Sequence, residues 1–192
     1  RCSTYAYLPH SEKESPLKDK KVTDSVPSDV GMRSSTLAKD ADGGTRLRLN
    51  GKQFFQVGLL DQGFWPDGLY TAPTDAAMKY DLEVTKQLGF NMIRKHVKVE
   101  PARWYYYCDQ MGILVWQDMP SGDKNPPWSP LGIHAGKEIE RSKESADNFR
   151  AEWKNIMDSL MHFPSIVVWV PFNEAWGQFD TVNVTNWTMQ HD

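Results

Sequence analysis

The segment Trp169-Val170-Pro171-Phe172-Asn173-Glu174 sets an amide and a carboxyl side by side just beyond an apolar run, Ile166 to Val170. A carboxyl placed this way is suited to proton transfer, and the amide beside it can hold a hydroxyl while the proton moves. An isolated Asn-Glu pair is common, and its bland alternative is a surface carboxylate in an ordinary loop. What gives this pair weight is its place after a buried strand. Three further apolar runs also end in polar side chains. Gln56 to Leu60 runs out into Asp61, Gln62, Trp65 and Asp67; Asn91 to His96 carries Arg94, Lys95 and His96; Ile113 to Gln117 carries Trp116 and Gln117 and leads to Asp118; the fourth leads to Asn173, Glu174 and Trp176.

Carboxylates, cations and tryptophans gathered on one rim suit a pyranose. Its apolar faces stack on Trp, and its hydroxyls need directional partners such as Asp, Asn, Arg and His. Phosphate is a poor fit, because no glycine-rich loop opens a helix in the required form. Glycoside hydrolysis needs one carboxyl to protonate the departing oxygen and a second across the sugar, and Glu174 is the candidate for the first. Each supporting residue has a plainer alternative. Arg94 is equally at home in a structural ion pair, and His96 as a hydrogen-bonded rim residue. Trp65, Trp116 and Trp176 are platforms or core, and Trp169 is core. Trp104 to Tyr107 reads as an outward-packed helix. No cofactor and no metal site is expected.

The elements that must hold these residues alternate. Asn50-Gly51 lies between two strand-like runs, Arg46 to Leu49 and Lys52 to Phe55, and predicts a hairpin whose two central residues take positive φ. Thr74 predicts an N-cap for a helix through Leu88, stopped by Gly89. Pro101 is expected at the first helical position of a segment ended by Gly112. A long polar loop, Asp118 to about Glu144, precedes a helix opened by Ser145 and striped by Phe149, Trp153, Ile156, Met157 and Leu160. Apolar strands separated by amphipathic helices are the pattern of a parallel sheet covered by helices, so the fold class is α/β. In parallel barrels the reacting groups sit at the carboxyl ends of the strands.

The chain has 192 residues, 40% of them hydrophobic, and a formal charge of −3. It carries no basic footprint for nucleic acid or an anionic membrane surface, and no apolar run near the roughly 20 residues that cross a bilayer. The expected partner is a glycoside or oligosaccharide, with no nucleic acid and no membrane. Of two cysteines, Cys2 lies in a polar tail and Cys108 in a helical pattern, so no disulfide framework or zinc pattern emerges. The triplets Asn183-Val184-Thr185 and Asn186-Trp187-Thr188 match the glycosylation acceptor pattern and lean the compartment toward the secretory side. Arg1 is not a natural start, so a longer parent chain is expected.

The blocks RLRLNGKQFFQVG, LGFNMIRKHVKVEPARWYYYCDQMGILVWQDMP and FPSIVVWVPFNEAWGQFD together resemble the barrel domain of glycoside hydrolase family 2, the family of β-galactosidases and β-glucuronidases. The resemblance covers about residues 30 to 192. It implies that residues 45–192 are the first four βα units of a (β/α)8 barrel, and that residues 1–44 are a linker or the end of a preceding immunoglobulin-like domain. It also implies that Glu174 is the acid/base, that Asn173 contacts the sugar 2-hydroxyl, that Arg94 positions the catalytic carboxylates, and that Asp118 is the acidic residue after the third strand. The order Arg94-Lys95-His96-Val97 departs from the Arg-x-x-His usual in members acting as β-galactosidases, so the resemblance does not name the sugar. The family's nucleophilic glutamate lies near the end of the seventh strand, and a four-strand chain is expected to be inactive alone. The alternatives are a carbohydrate-binding barrel that has lost its nucleophile, and a half-barrel that assembles with a second chain.

Overall fold

The computed structural model describes residues 31–125 and 138–192. Residues 126–137 of the polar loop after Asp118, including Pro126, Pro127 and Pro130, and the first 30 residues lie outside that range. Three strands, β1 (Ser35–Lys39), β2 (Thr45–Leu49) and β3 (Lys52–Gln53), form an antiparallel sheet in the order β1-β2-β3. The β2–β3 turn has Asn50 at φ 51° and Gly51 at φ 76°, the double left-handed geometry that an Asn-Gly pair favours. The partner strand β1 falls within residues 1–44, the stretch expected to be a linker or the last strand of a preceding domain, although no sequence pattern marks its bounds. Its one large apolar residue, Leu37, is 69% exposed, so it shows no alternation to read.

Four parallel strands follow in sequence order: β4 (Gly58–Asp61), β5 (Met92–Lys95), β6 (Leu114–Asp118) and β7 (Ile166–Val170). They alternate with α1 (Asp75–Gln87), α2 (Ala102–Met111), α3 (Lys143–Leu160) and α4 (Thr181–His191). The fold is α/β with a parallel sheet, as the strand and helix pattern requires. Thr74 caps α1 by accepting from the Ala77 amide, and Gly89 leaves it at φ 87°. Pro101 is the N-cap of α2, one position earlier than expected, with extended ψ of 148°. Ser142, not Ser145, caps α3: its side chain accepts from the Ser145 amide, because a cap oxygen bonds an amide two or three residues ahead. Helix α4 is the helix that a fourth βα unit implies, but no pattern delimits it in the sequence: only Val184 and Thr188 are buried on it, too sparse a stripe to mark its bounds.

The apolar weight sits between sheet and helices. Met78 and Leu82 of α1, Trp104, Tyr105 and Cys108 of α2, and Ile93, Val115 and Ile166 of the sheet form one cluster. Phe149, Trp153 and Met157 of α3 join Met119, Phe179 and Val184 in a second. Full burial of such side chains stabilises by about 1.5–3 kcal/mol each, so the helix-facing side of the sheet holds the fold together. The opposite face, carrying Arg94, Trp116, Val168 and Val170, is half-buried. A register shift at Val115/Trp116 brings Val168 opposite Trp116 and Val170 opposite Asp118, keeping that face continuous into β7. The expected burial of the first strand does not hold: Leu59 is 38% and Leu60 55% exposed, because among the described residues β4 lies at the sheet's edge and pairs only with β5.

Candidate active site

Strand alternation divides the polar residues at the carboxyl ends of the strands into two sets. Arg94 and Asp118 lie on the open face. Lys95 and Gln117, one residue off, turn to the helices: the Lys95 ammonium lies 4.4 Å from the Trp104 ring centre, and the Gln117 carbonyl accepts from Tyr105 Oη at 2.6 Å. The expectation that all of them face one rim is therefore corrected by the two-residue period of a strand.

On the open face, the Asp118 side chain is fully buried, so its charge requires a close cation. Arg94 supplies it as a fork, with Nε 2.9 Å from Oδ1 and Nη2 2.9 Å from Oδ2. A planar guanidinium matches a carboxylate in this way and an ammonium does not. The same Nη2 donates to Asn173 Oδ1 at 2.9 Å. Because that oxygen is the acceptor, the Asn173 Nδ2 amino group is turned away from Arg94 as a donor for another partner. Three adjacent strands thus set one amide.

The next residue, Glu174, has φ 49°, and Ala175 has φ 63°. The turn closes with Trp176 N donating to Asn173 O at 2.8 Å and a bridge between Asn173 and Trp176. Left-handed backbone at two successive non-glycine residues costs roughly 1 kcal/mol or more apiece and survives where the surroundings over-determine it. Its effect is to lift the exposed Glu174 side chain to the tip of the loop after β7.

The surroundings that enforce this turn include residues the sequence did not single out. Ser121 Oγ donates to Trp176 O at 2.9 Å, and Trp176 Nε1 donates to Asp123 O at 3.1 Å. Arg141 donates through Nε to Gly177 O at 3.0 Å, through Nη2 to Ser121 O at 2.6 Å and Gly122 O at 3.2 Å, and through Nη1 to Ser145 Oγ at 3.1 Å. Its side chain is 4% exposed. Burial pulls the guanidinium's pKa down from its usual value, and the Asp123 carboxylate opposes this. Asp123 is itself held below the usual carboxylate range, chiefly by the Ser145 hydroxyl donating at 2.6 Å. Gly177, at φ 63°, fits where a side chain does not: a Cβ would stand 2.0 Å from Gly122 O and 2.5 Å from Arg141 Nη2. Arg141 sits in the polar run Glu140-Arg141-Ser142-Lys143, which carries no sequence signal for this role.

The other candidates fall around this group. His96 is half-buried, with its Nδ1 3.1 Å from Gln62 Nε2. Trp176 is 38% exposed, with its indole N–H tied down and ring area left open. Trp65 lies farther along the loop after β4, where its amide and carbonyl close a turn with Leu69, and it takes no part in the Arg94–Asp118–Asn173 network. Trp116 donates to Gln56 Oε1 at 2.6 Å from the open face of β6.

Behind the rim lies a buried charge cluster. Lys95 Nζ meets Asp61 Oδ2 at 2.6 Å and Glu100 Oε1 at 2.9 Å, while Lys98 Nζ meets Glu100 Oε1 at 2.9 Å and Gly63 O at 2.5 Å. Two cations and two carboxylates balance, and they staple the loop after β4 to the loop after β5. Among the described residues no group of three or more His, Cys, Asp and Glu is placed to hold a metal ion, and no helix is long and apolar enough to cross a membrane.

Residues 45–192 match the family model described as Glycosyl hydrolases family 2, TIM barrel domain. A β-mannosidase B of Aspergillus clavatus is 27% identical over 176 residues, covering 88% of this chain and 19% of that protein. A β-galactosidase of Lactococcus lactis is 27% identical over 149 residues, 76% of this chain and 13% of that one. Among solved structures, the β-glucuronidase from Ruminococcus gnavus in complex with D-glucuronic acid superposes with a TM-score of 0.61 at 16% identity. That match covers 84% of this chain and 24% of the other, and shows a shared fold. The chain spans about a fifth or less of the length of these curated relatives.

Proposed function

This chain belongs to glycosyl hydrolase family 2, and from that premise we propose that its parent protein hydrolyses terminal β-glycosidic bonds with retention, Glu174 serving first as general acid and then as base. In the first step the glycosidic C–O bond breaks, the Glu174 proton passes to the departing oxygen, and a second carboxylate bonds to the anomeric carbon. In the second step Glu174 takes a proton from water, whose oxygen displaces that carboxylate. The nucleophile comes, in this reading, from a later strand of the complete barrel.

The observation that carries the proposal is the Asn173 anchor. Asp118 fixes Arg94, and Arg94 in turn holds the Asn173 side-chain oxygen, leaving its Nδ2 to donate to a sugar hydroxyl one residue from a carboxyl lifted on a left-handed turn. Trp176 offers an open ring, and His96 an imidazole, on the same mouth; Trp65 is assigned to a more distant part of the substrate. Residues 45–192 are read as four βα units of the barrel, and residues 1–44 as a linker or the end of a preceding immunoglobulin-like domain. The relatives' names set the first sugars to try: aryl β-mannosides, β-galactosides and β-glucuronides.

The test is Glu174→Gln in the full-length protein. Turnover of an aryl glycoside with a poor leaving group is expected to fall by roughly 10²–10⁴-fold, the share that general acid catalysis contributes. With a dinitrophenyl leaving group, which needs no protonation, added azide is expected to restore turnover by replacing the water that needs a base. Wild-type rates for Glu174→Gln would remove the assignment.

A further inference from the structure

Resting on that reading of Glu174, we propose that Arg141 is a positioning residue for the acid/base: its guanidinium clamps the loop after β6 to the loop after β7 and so fixes where the Glu174 carboxyl stands. Glu174 is exposed, so its place is set by the backbone on either side of it. On the amino-terminal side, Arg94 holds Asn173 through its side chain. On the carboxyl-terminal side, Arg141 holds the Gly177 carbonyl and, through the same guanidinium, the Ser121 and Gly122 carbonyls of the facing loop. The left-handed pair Glu174-Ala175 spans the gap between these two anchors.

The chemistry of this position calls for arginine. Three of its nitrogens donate at once, in one plane, to four acceptors on three chain segments. The guanidinium also packs against an edge-to-face aromatic pair, its carbon 5.0 Å from the Phe149 centre and 4.8 Å from the Phe179 centre. Lysine has neither the fork nor the flat face. The clamp also ties the turn to the core, since Phe149 and Phe179 belong to the second apolar cluster. Gly177 completes the fit: with Gly122 O and Arg141 Nη2 closer to its missing Cβ than any real Cβ tolerates, the two loops approach as closely as backbone allows.

A clamp that merely held the fold together would lower activity on every substrate alike. A clamp that aims the acid acts on the reactions that need the acid. The experiment therefore measures kcat/KM in the full-length protein for 2,4-dinitrophenyl and 4-methylphenyl glycosides of the sugar on which it is active, with Arg141→Gln, Arg141→Lys and Ser145→Ala. The last removes the acceptor on Nη1 and the hydroxyl donor to Asp123 while leaving the guanidinium in place, and guards against a variant that fails to fold. Arg141→Gln and Arg141→Lys are each expected to lose on the order of ten-fold more on the methylphenyl than on the dinitrophenyl substrate, a fraction of the general acid contribution. Ser145→Ala is expected to shift that ratio in the same direction by less, and the alkaline limb of the kcat/KM pH profile, where the general acid loses its proton, is expected to move with it. Parallel losses on both substrates, with an unmoved pH profile, would overturn the proposal. Glu174→Gln, measured beside them, separates the two ideas: if it shows the leaving-group dependence and the Arg141 and Ser145 variants do not, the positioning role falls and the acid/base reading stands.

Discussion

Glu174 combines two features that pull against each other. It occupies left-handed backbone at φ 49°, which glycine adopts freely and glutamate does not. Replacing it with glycine is therefore expected to leave the urea midpoint of the full-length protein unchanged or raise it, by up to about 1 kcal/mol of stability, while abolishing turnover of poor leaving groups. A lowered midpoint would mean that the glutamate side chain stabilises the turn, contrary to its exposed position. At this scale the sequence was informative where a residue's meaning is local. Asn173 and Glu174 follow an apolar strand, and Arg94 and Asp118 fall on alternate positions of theirs, so their convergence can be read from periodicity. Lys95 and Gln117 show the limit, since the same strands that deliver Arg94 and Asp118 to the mouth turn these two inward. Arg141 was illegible for a different reason: three of its four acceptors are backbone carbonyls 19 to 36 residues away, which leave no mark on sequence.

Elements were legible in proportion to the chemistry at their ends. Thr74, Gly89, Gly112 and the Asn50-Gly51 turn announce themselves because each satisfies a backbone requirement that few residues can meet. The α3 cap was misplaced because Ser142 and Ser145 both precede the apolar stripe, and only geometry separates the acceptor from the amide it caps. Helix α4 begins at Asp180 with φ 45° and no side-chain cap, so it lacks a start signal as well as a stripe. The loops after β4 and β5 are joined by the Lys95, Lys98, Glu100 and Asp61 cluster, and Glu100 accepts from both lysines, which are 1% and 2% exposed. Glu100→Gln is expected to destabilise the protein by roughly 3 kcal/mol or more, because two buried ammonium groups lose their shared counter-charge. That is a large share of a typical folding free energy. Chemical denaturation of the full-length variant measures it, and a change within a few tenths of a kcal/mol would show that Asp61 and Gly63 O suffice for the two lysines.

Across the whole molecule, the two faces of the parallel sheet are unequal. The helix-facing side is closed over by two apolar clusters, whereas the other carries half-buried Trp116, Val168 and Val170 and ends at edge strands β4 and β7. Near the β4 edge, Leu60 is 55%, Phe64 65% and Phe55 82% exposed. An edge strand with unpaired backbone groups beside exposed apolar residues is a template for pairing with another chain. In the complete barrel of the family eight strands close on one another and no edge is left. These 192 residues, prepared as a separate polypeptide, are therefore expected to self-associate and to bind an environment-sensitive apolar dye. Light scattering should give a mass well above the monomer's 22.0 kDa. Since β4 is the more exposed edge, Leu60→Lys is expected to shift that mass downward by placing a charge in the template. The same substitution would put a second cation beside Arg94, its register partner on β5, and so is expected to lower activity in the full-length protein. A dye-silent monomer from the unmodified 192 residues would show that the open face is covered by some other part of this chain.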